Sequence, residues 1–453
     1  MEYLLSSSIN YYNDIMSYYK HSLYNSVIRI SKQRSILYNA VVDKFCILSN
    51  DQLYSYNNIN LTSVKSISFI EELFKEGFLV HSDKSEIEEL IKKIRDIDSR
   101  KDIMQLIINP TMDCNLRCWY CYEKHLNNSR VDTWVKDSIV KLIKNEIESN
   151  SQLKQINTSF FGGEPFLYFH EDIYPLMRQI KQICQEYDLL SPFAFTTNGV
   201  LVDKYVQQKL SEIGDCSFQI TLDGSRRHHN SVRIRRKGEE TFDTILGNVS
   251  SLLSRGFSVL LRINITNRNI VDIEELIEEL LTIPEEYRSL CRIDFQPVWQ
   301  EDINEKLLDG IQEFANTLST KHSFQTTYAH RHRMLSPCYA ESDYEVLVNY
   351  NGDLFRCSAR DFTTNNRDGV LLPSGELKWD QIKREMRRKS VLSSETCKSC
   401  RIAPLCGGGC SQIRIEHFGY DGCIYGYSDK EKDDLILSRF ENLYVRSTES
   451  KCQ

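Results

Sequence analysis

Cys114-Asn115-Leu116-Arg117-Cys118-Trp119-Tyr120-Cys121 stands a few residues beyond the apolar run 105–109, and the fold can be read outward from it. Three thiolates in C-x3-C-x2-C spacing on one short loop can hold three irons of a [4Fe-4S] cube. The fourth iron is then left open to a ligand, whereas an electron-transfer cluster is closed by a fourth cysteine. Taken alone, the triplet also leaves a zinc site or coincidence open as the lesser readings.

Around this loop strands and helices alternate. Apolar runs at 105–109, 157–161, 193–197, 218–222, 259–265 and 293–298 read as strands. Amphipathic stretches at 131–147, 173–187, 203–213, 241–253, 271–281 and 306–318 read as the helices between and after them. Such alternation implies a parallel sheet with crossover helices, and six strands imply a partial (β/α)6, TIM-like barrel in the α/β class. Parallel barrels carry their chemistry in loops at the C-terminal strand ends. Three further motifs fall there: Gly162-Gly163-Glu164-Pro165 after the second strand, Thr196-Thr197-Asn198-Gly199 after the third, and Thr221-Leu222-Asp223-Gly224 after the fourth. The glycine pair lets backbone amides and carbonyls approach a ligand closely.

Residues 1–100 read as a separate small α+β, winged-helix-like domain. It has short apolar runs at 35–38 and 44–48, then Phe69, Ile70, Leu73 and Phe74 at helical spacing. Gly77 closes that helix, 78–80 form a strand, and Ile87, Leu90, Ile91 and Ile94 mark another helix. The barrel would occupy 101–320 and a cysteine-rich domain and tail 321–453. In that last segment Cys338 and Cys357 flank Gly352, Cys397, Cys400, Cys406 and Cys410 follow in C-x2-C-x5-C-x3-C spacing, and Cys423 lies beyond. It carries too little apolar pattern to fold on packing alone, so metal must organise it, and a zinc ribbon remains open at this point. The scattered Cys46, Cys184, Cys216, Cys291 and Cys452 read as small buried hydrophobes.

A net charge of -7 without a basic stripe excludes a nucleic-acid footprint and an anionic-membrane anchor. With no signal peptide and no transmembrane-length segment, the expected compartment is the cytoplasm. Fifteen cysteines in a reducing compartment point to metal or redox chemistry rather than disulfides.

Together, the C-x3-C-x2-C loop with its aromatic Tyr120, the Gly162-Gly163-Glu164 motif and the two later loops resemble the radical S-adenosylmethionine superfamily. The seven C-terminal cysteines with Gly352 are similar to the SPASM signature, shared by maturases of ribosomally made peptides and anaerobic sulfatase-maturing enzymes. The resemblance implies that Cys114, Cys118 and Cys121 hold the cluster that binds S-adenosylmethionine. Tyr120 would lie near the adenine, Gly162, Gly163 and Glu164 near the methionine amino group, Thr221 at the nucleoside and Arg233 at the methionine carboxylate. It further implies a distal auxiliary cluster on Cys397, Cys400, Cys406 and Cys423, and a proximal one on Cys338, Cys357 and Cys410. The last iron of the proximal cluster would take Cys291, His330 or His332, or stay open to substrate.

The implied chemistry is reductive cleavage of S-adenosylmethionine to methionine and a 5′-deoxyadenosyl radical, fed by an external one-electron reductant such as flavodoxin or ferredoxin. The radical then oxidatively modifies or crosslinks a leader-bearing precursor peptide through a thioether or carbon-carbon bond. Sulfatase-maturing relatives carry an aspartate directly after the cysteine matching Cys357, where this chain has Ser358 and only later Asp361. That departure favours a peptide maturase over a sulfatase-type enzyme oxidising a protein cysteine or serine. A non-catalytic cluster carrier or peptide-delivery protein is the alternative from another class. The sequence assigns no catalytic side chain beyond the activating cluster.

Overall fold

The structure is a computed structural model, and it describes residues 18–59, 67–235, 238–301, 305–328, 338–417, 419–441 and 443. The chain divides into two compact units: 1–99 with 331–341 and 385–453, and 100–330 with 342–384.

In the first unit β1 (Tyr19–His21) pairs antiparallel with β5 (Leu79–His81). β2 (Asn25–Arg29), β3 (Arg34–Asn39) and β4 (Lys44–Ser49) form an antiparallel meander. Helices Asn50–Asn57, Ile67–Lys75 and Glu86–Asp98 follow the meander. The first begins in a capping box, in which Ser49 accepts the Gln52 amide while the Gln52 side chain accepts the Ser49 amide. One face of the meander packs Leu37 and Leu48 against Ile70, Leu73, Phe78 and Leu79. A second core joins Tyr24, Ile28, Ile36 and Tyr38 to Leu392, Ile402, Leu405 and Ile436, so the N-terminal sheet and the late cysteine-rich segment share one interior.

The second unit is built on an 11-stranded sheet. β6 (Ile103–Asn109), β7 (Gln155–Phe160), β8 (Phe193–Thr197), β9 (Cys216–Leu222), β10 (Ser258–Ile265), β11 (Cys291–Pro297) and β12 (Gln325–Tyr328) pair side by side in parallel. β13 (Glu345–Asn349) adds in parallel to the free side of β6, and β14 (Asp353–Phe355), β15 (Gly369–Leu371) and β16 (Leu377–Trp379) continue antiparallel. All six expected strands are present. β12 to β16 were not expected, because they are three to five residues long, too short for a periodicity signal.

Side-chain alternation sets the two faces of the sheet. Phe160, Phe195 and Phe218 stack across β7, β8 and β9 at centroid distances of 5.2 and 5.5 Å, and with Ile263, Ile293 and Phe295 they pack in one core with the helices. The opposite face presents Asn157, Thr196, Gln219, Thr221, Arg262 and Asp294, and a cavity lined by Ala194, Thr196, Ser217, Gln219, Leu260 and Arg292 lies over part of it.

Beyond the expected boundary at 321 the chain changes unit three times, at residues 331, 342 and 385. Residues 342–384 belong with the barrel because β13 extends its sheet, while 385–453 fold with the N-terminal sheet. Among the described residues no helix is long and apolar enough to cross a membrane.

Candidate active site

The loop after β6 is held by bonds between its own side chains and backbone. Asp113 accepts the amides of Cys114 at 2.8 Å and Asn128 at 2.9 Å, and Thr111 donates to the Ser129 carbonyl at 2.6 Å. Burial, with Glu164 nearby, pushes the Cys114 thiol up to about 12, and Cys118 and Cys121 push in the same direction. Burial also raises Cys121 to about 11. The three thiols are thus close enough to sense one another, and a set of sulfurs that resists ionising in protein alone is one that bound iron, as a local positive charge, would deprotonate.

The glycine motif is fixed by close approach. A Cβ on Gly162 would fall 1.4 Å from the Asn109 side-chain oxygen, and one on Gly163 2.0 Å from the Asp113 carbonyl. Glu164, fully buried, donates its amide to that same carbonyl at 2.8 Å. Its carboxylate accepts the Thr197 hydroxyl at 2.7 Å, the Asn198 amide at 2.8 Å and the Phe166 amide at 3.1 Å. Burial raises it to about 7 against those bonds. Asn198 in turn donates to the Asn115 side chain at 2.7 Å. The Glu164 side chain, expected at the methionine amino group, is therefore engaged in tying the second loop to the third and, through Asn198, to the cysteine loop.

Tyr120 and Arg233 meet at Asp223. The Tyr120 hydroxyl donates to the carboxylate at 2.7 and 2.9 Å, Arg233 Nε donates to it at 2.5 Å, and Arg233 also donates to the Tyr120 oxygen at 2.9 Å. Arg233 and Asp223 are both buried, and the neighbouring negative groups hold the guanidinium well above its ordinary value despite burial. His229, kept neutral because burial lowers it to about 3, faces the Asp223 amide at 3.3 Å and Thr241 at 3.0 Å; Thr241 donates to the Arg233 carbonyl. Arg233 was expected to meet a carboxylate, and the one it meets here is the protein's own. Asp223, quoted in its motif without a role, is the hub of this group.

In strand register Thr221 stands beside Arg262, and Arg262 beside Asp294. Arg262 bonds Asn264 at 3.0 Å, and burial lowers it with Asp294 opposing. Asp294 accepts Thr327 at 2.6 Å and Gln296 at 2.9 Å. Sequence reasoning missed this pair, although an arginine inside Val259-Leu260-Leu261-Arg262-Ile263 is anomalous enough to have flagged it. Near the cysteine loop, burial beside Asp361 raises the Glu123 carboxyl to about 8, with the Gly163 amide opposing. Tyr122 stacks on Trp299 at 5.7 Å and donates to the Ser358 carbonyl at 2.8 Å.

Among the later cysteines, Cys397, Cys400, Cys406 and Cys423 line one cavity in the first unit. Burial and the other three thiols push Cys406 up to about 12. Gly407, Gly408 and Gly409 follow at φ of 64°, 84° and 83°, a left-handed run that turns the chain around the cavity. Among the described residues no three His, Cys, Asp or Glu converge on a single ion, whereas a four-iron cube is gripped at its corners by sulfurs set around a cavity. Cys338 and Cys410 fall in the first unit and Cys357 in the second. Cys291, one candidate for the proximal cluster's last iron, is instead a core residue: it begins β11, is fully buried, and its thiol is raised to about 12 by burial alone. His330 and His332, the other two candidates, and Cys452 lie outside the described residues. Cys46, Cys184 and Cys216 all sit within or against hydrophobic cores, as expected.

Residues 108–280 match the family model for the radical SAM superfamily. The chain carries a radical SAM domain. Its relatives include the radical SAM cyclopropyl synthase TigE of Paramaledivibacter caminithermalis, 22% identical over 438 residues and covering 86% of this chain and 85% of that protein. A probable GTP 3′,8-cyclase of Methanococcus maripaludis is 32% identical over 123 residues, 27% of this chain and 37% of its own length. Among solved structures, native anSMEcpe with bound AdoMet is similar at a TM-score of 0.58 and 18% identity, over 77% of this chain and 99% of that one. Streptococcus suis SuiB bound to precursor peptide SuiA is similar at 0.50 and 15%, over 88% and 97%. At these identities the structural likeness speaks for the fold, a radical SAM partial barrel.

Proposed function

We propose that this enzyme matures a ribosomally made precursor peptide. The observation that carries the reading is the 438-residue match to the cyclopropyl synthase, since a match of that span reaches well beyond the 108–280 domain into the N-terminal and cysteine-rich segments. When bound, the cluster and S-adenosylmethionine supply a carbon-centred oxidant that removes a substrate hydrogen atom. The chain's own residues bind and orient. Cys114, Cys118 and Cys121 hold three irons, Gly162 and Gly163 present backbone to the methionine amino group, and Glu164 acts through the loops it ties. Tyr120 and Thr221 flank the nucleoside, and Arg233 reaches the methionine carboxylate from its Asp223 anchor. Cys397, Cys400, Cys406 and Cys423 take the distal auxiliary cluster, and Cys338, Cys357 and Cys410 the proximal one. Arg262, Asp294 and Glu123 face the substrate. The N-terminal sheet, whose β2 and β4 edges are unpaired among the described strands and expose Val27 and Ile47, receives the leader. A flavodoxin or ferredoxin supplies electrons in the cytoplasm.

A sulfatase-type activity is the second reading, favoured by the coverage of anSMEcpe and opposed by Ser358. One experiment separates them. Reconstituted, dithionite-reduced enzyme is given S-adenosylmethionine and either a short peptide encoded beside the gene or a cysteine-bearing sulfatase peptide, and products are read by mass spectrometry. Loss of two hydrogens from the first with formation of 5′-deoxyadenosine supports maturation. Turnover of the sulfatase peptide alone would reverse the assignment.

A further inference from the structure

The cavity ringed by Cys397, Cys400, Cys406 and Cys423 contains a cation that no motif accounts for. Arg414 lines it and is only 6% exposed. Its Nη2 donates to the Cys397 sulfur at 2.7 Å, and its Nε to the Gly408 carbonyl at 2.5 Å. No carboxylate pairs with it among the described residues. Lys432 lines the same cavity and favours the Cys400 thiolate, but it is also paired with Asp429 at 3.1 Å.

A guanidinium stays protonated in any protein environment. Burying one without a counter-charge costs several kcal/mol, so the fold would carry a standing penalty unless negative charge fills the cavity. Four thiolates outweigh the net positive charge of the iron-sulfide core they hold, and one-electron reduction adds one more negative charge. A buried cation with an N–H directed at a ligand sulfur therefore stabilises the reduced form more than the oxidised form. Hydrogen bonds to cluster sulfurs act in the same sense.

Position adds a second element. Arg414 lies on the short helix Ser411–Glu416, whose N-cap is Cys410, and its amide donates to the Cys410 carbonyl at 3.1 Å. One helical turn thus connects a cysteine assigned to the proximal cluster with the sulfur of a cysteine assigned to the distal one.

We propose that Arg414 is the positioning residue that raises the potential of the distal cluster and makes it an electron acceptor during turnover, rather than a purely structural staple. This rests on the reading that the four cysteines hold a cluster. In the redox step the oxidised cluster gains one electron, supplied in the test by dithionite and in turnover by a substrate radical that becomes closed-shell as it loses a proton.

The test is a redox titration of full-length, iron-reconstituted enzyme followed by electron paramagnetic resonance, with the distal signal assigned as the one absent from Cys423→Ala. Wild type is compared with Arg414→Lys and Arg414→Gln. The Gln variant is expected to titrate at a more negative potential by at least about 59 mV, a tenfold change in a one-electron equilibrium. Lys, which keeps the charge but not the fork, should fall between. Equal midpoints at equal iron content overturn the proposal. If the Gln variant fails to hold the distal irons, Lys decides: a negative shift supports the role and an unshifted midpoint overturns it. Should wild type show no signal that Cys423→Ala removes, the cluster assignment itself fails, an outcome distinct from a cluster that is present but indifferent to Arg414.

Discussion

Glu164 offers the sharpest test of how the active-site loops are held. Its carboxylate satisfies two backbone amides and a hydroxyl inside a fully buried pocket. In Glu164→Ala the Thr197 hydroxyl can rotate toward another acceptor, but the Asn198 and Phe166 amides cannot. Two buried amides without partners cost about 2–6 kcal/mol in total, at about 1–3 kcal/mol each. Glu164→Gln keeps the oxygen that serves Thr197 and Phe166 and turns an NH2 toward the Asn198 amide, so it should lose one bond and cost about 1–3 kcal/mol. Because Asn198 also holds Asn115 in the cysteine loop, both variants should retain the activating cluster less well, in the order wild type, Gln, Ala. Urea unfolding followed by circular dichroism gives the stabilities, and iron analysis with cofactor-cleavage rates gives the functional order. An alanine variant within about 0.5 kcal/mol of wild type, the range of an ordinary surface change, would refute Glu164 as the tie. A Gln variant as damaged as Ala would refute the bond-by-bond account.

Asp223→Ala strands the buried Arg233 and should cost about 3–5 kcal/mol while weakening S-adenosylmethionine binding, measurable by thermal unfolding and calorimetry; a neutral result would mean the guanidinium finds another partner. Anaerobically reconstituted enzyme should hold about twelve irons, and the Cys114, Cys118 and Cys121 triple alanine variant about four fewer, whereas zinc without iron in the C-terminal segment would remove the auxiliary clusters. Glu345, on β13, is raised by burial to about 8 from an ordinary 4.5. A carboxyl whose folded value lies above its unfolded one contributes stability below about pH 4.5 and loses it as pH rises through 8, at no more than about 1.4 kcal/mol per pH unit. Glu345→Gln should flatten the unfolding temperature across that window, and an unchanged slope would count against the buried carboxyl.

The six parallel strands β6 to β11 were legible because each is an apolar-rich run set between amphipathic helices. The motif loops were legible because chemistry demands fixed spacing. What could not be read depends on three-dimensional pairing. Asp223 looks like an ordinary turn aspartate until Tyr120 and Arg233, distant in sequence, converge on it. Glu164 carries a ligand-facing expectation from its motif, yet its partners lie on the next loop. β13 is five residues of a segment judged irregular, and only its register against β6 makes it barrel. The core between the first forty residues and Leu392, Ile402 and Leu405 has no counterpart in local pattern at all.

That shared core changes what removing the N-terminal module would mean. If the module were an independent leader-binding appendage, deleting residues 1–99 would spare the clusters and weaken only peptide modification. Instead, Tyr24, Ile28, Ile36 and Tyr38 pack in one core with Leu392, Ile402, Leu405, Ile436 and Cys397, a cysteine assigned to the distal cluster. Arg401 bonds Ser26 at 3.0 Å, and Arg439 pairs with Asp43. Exposing those four aliphatic side chains forfeits about 1.5–3 kcal/mol each, or about 6–12 kcal/mol together, comparable with the whole stability of a typical domain. The truncation should therefore lose the distal irons, about four by analysis, along with turnover of the peptide. A leader-binding role has to be probed without opening that core, for example by Val27→Asp on exposed β2, with retained iron and weakened binding of the precursor as the expected result. A truncated chain that kept all its iron would show that the cysteine segment folds without the N-terminal sheet, and the shared core would then be a contact rather than a support.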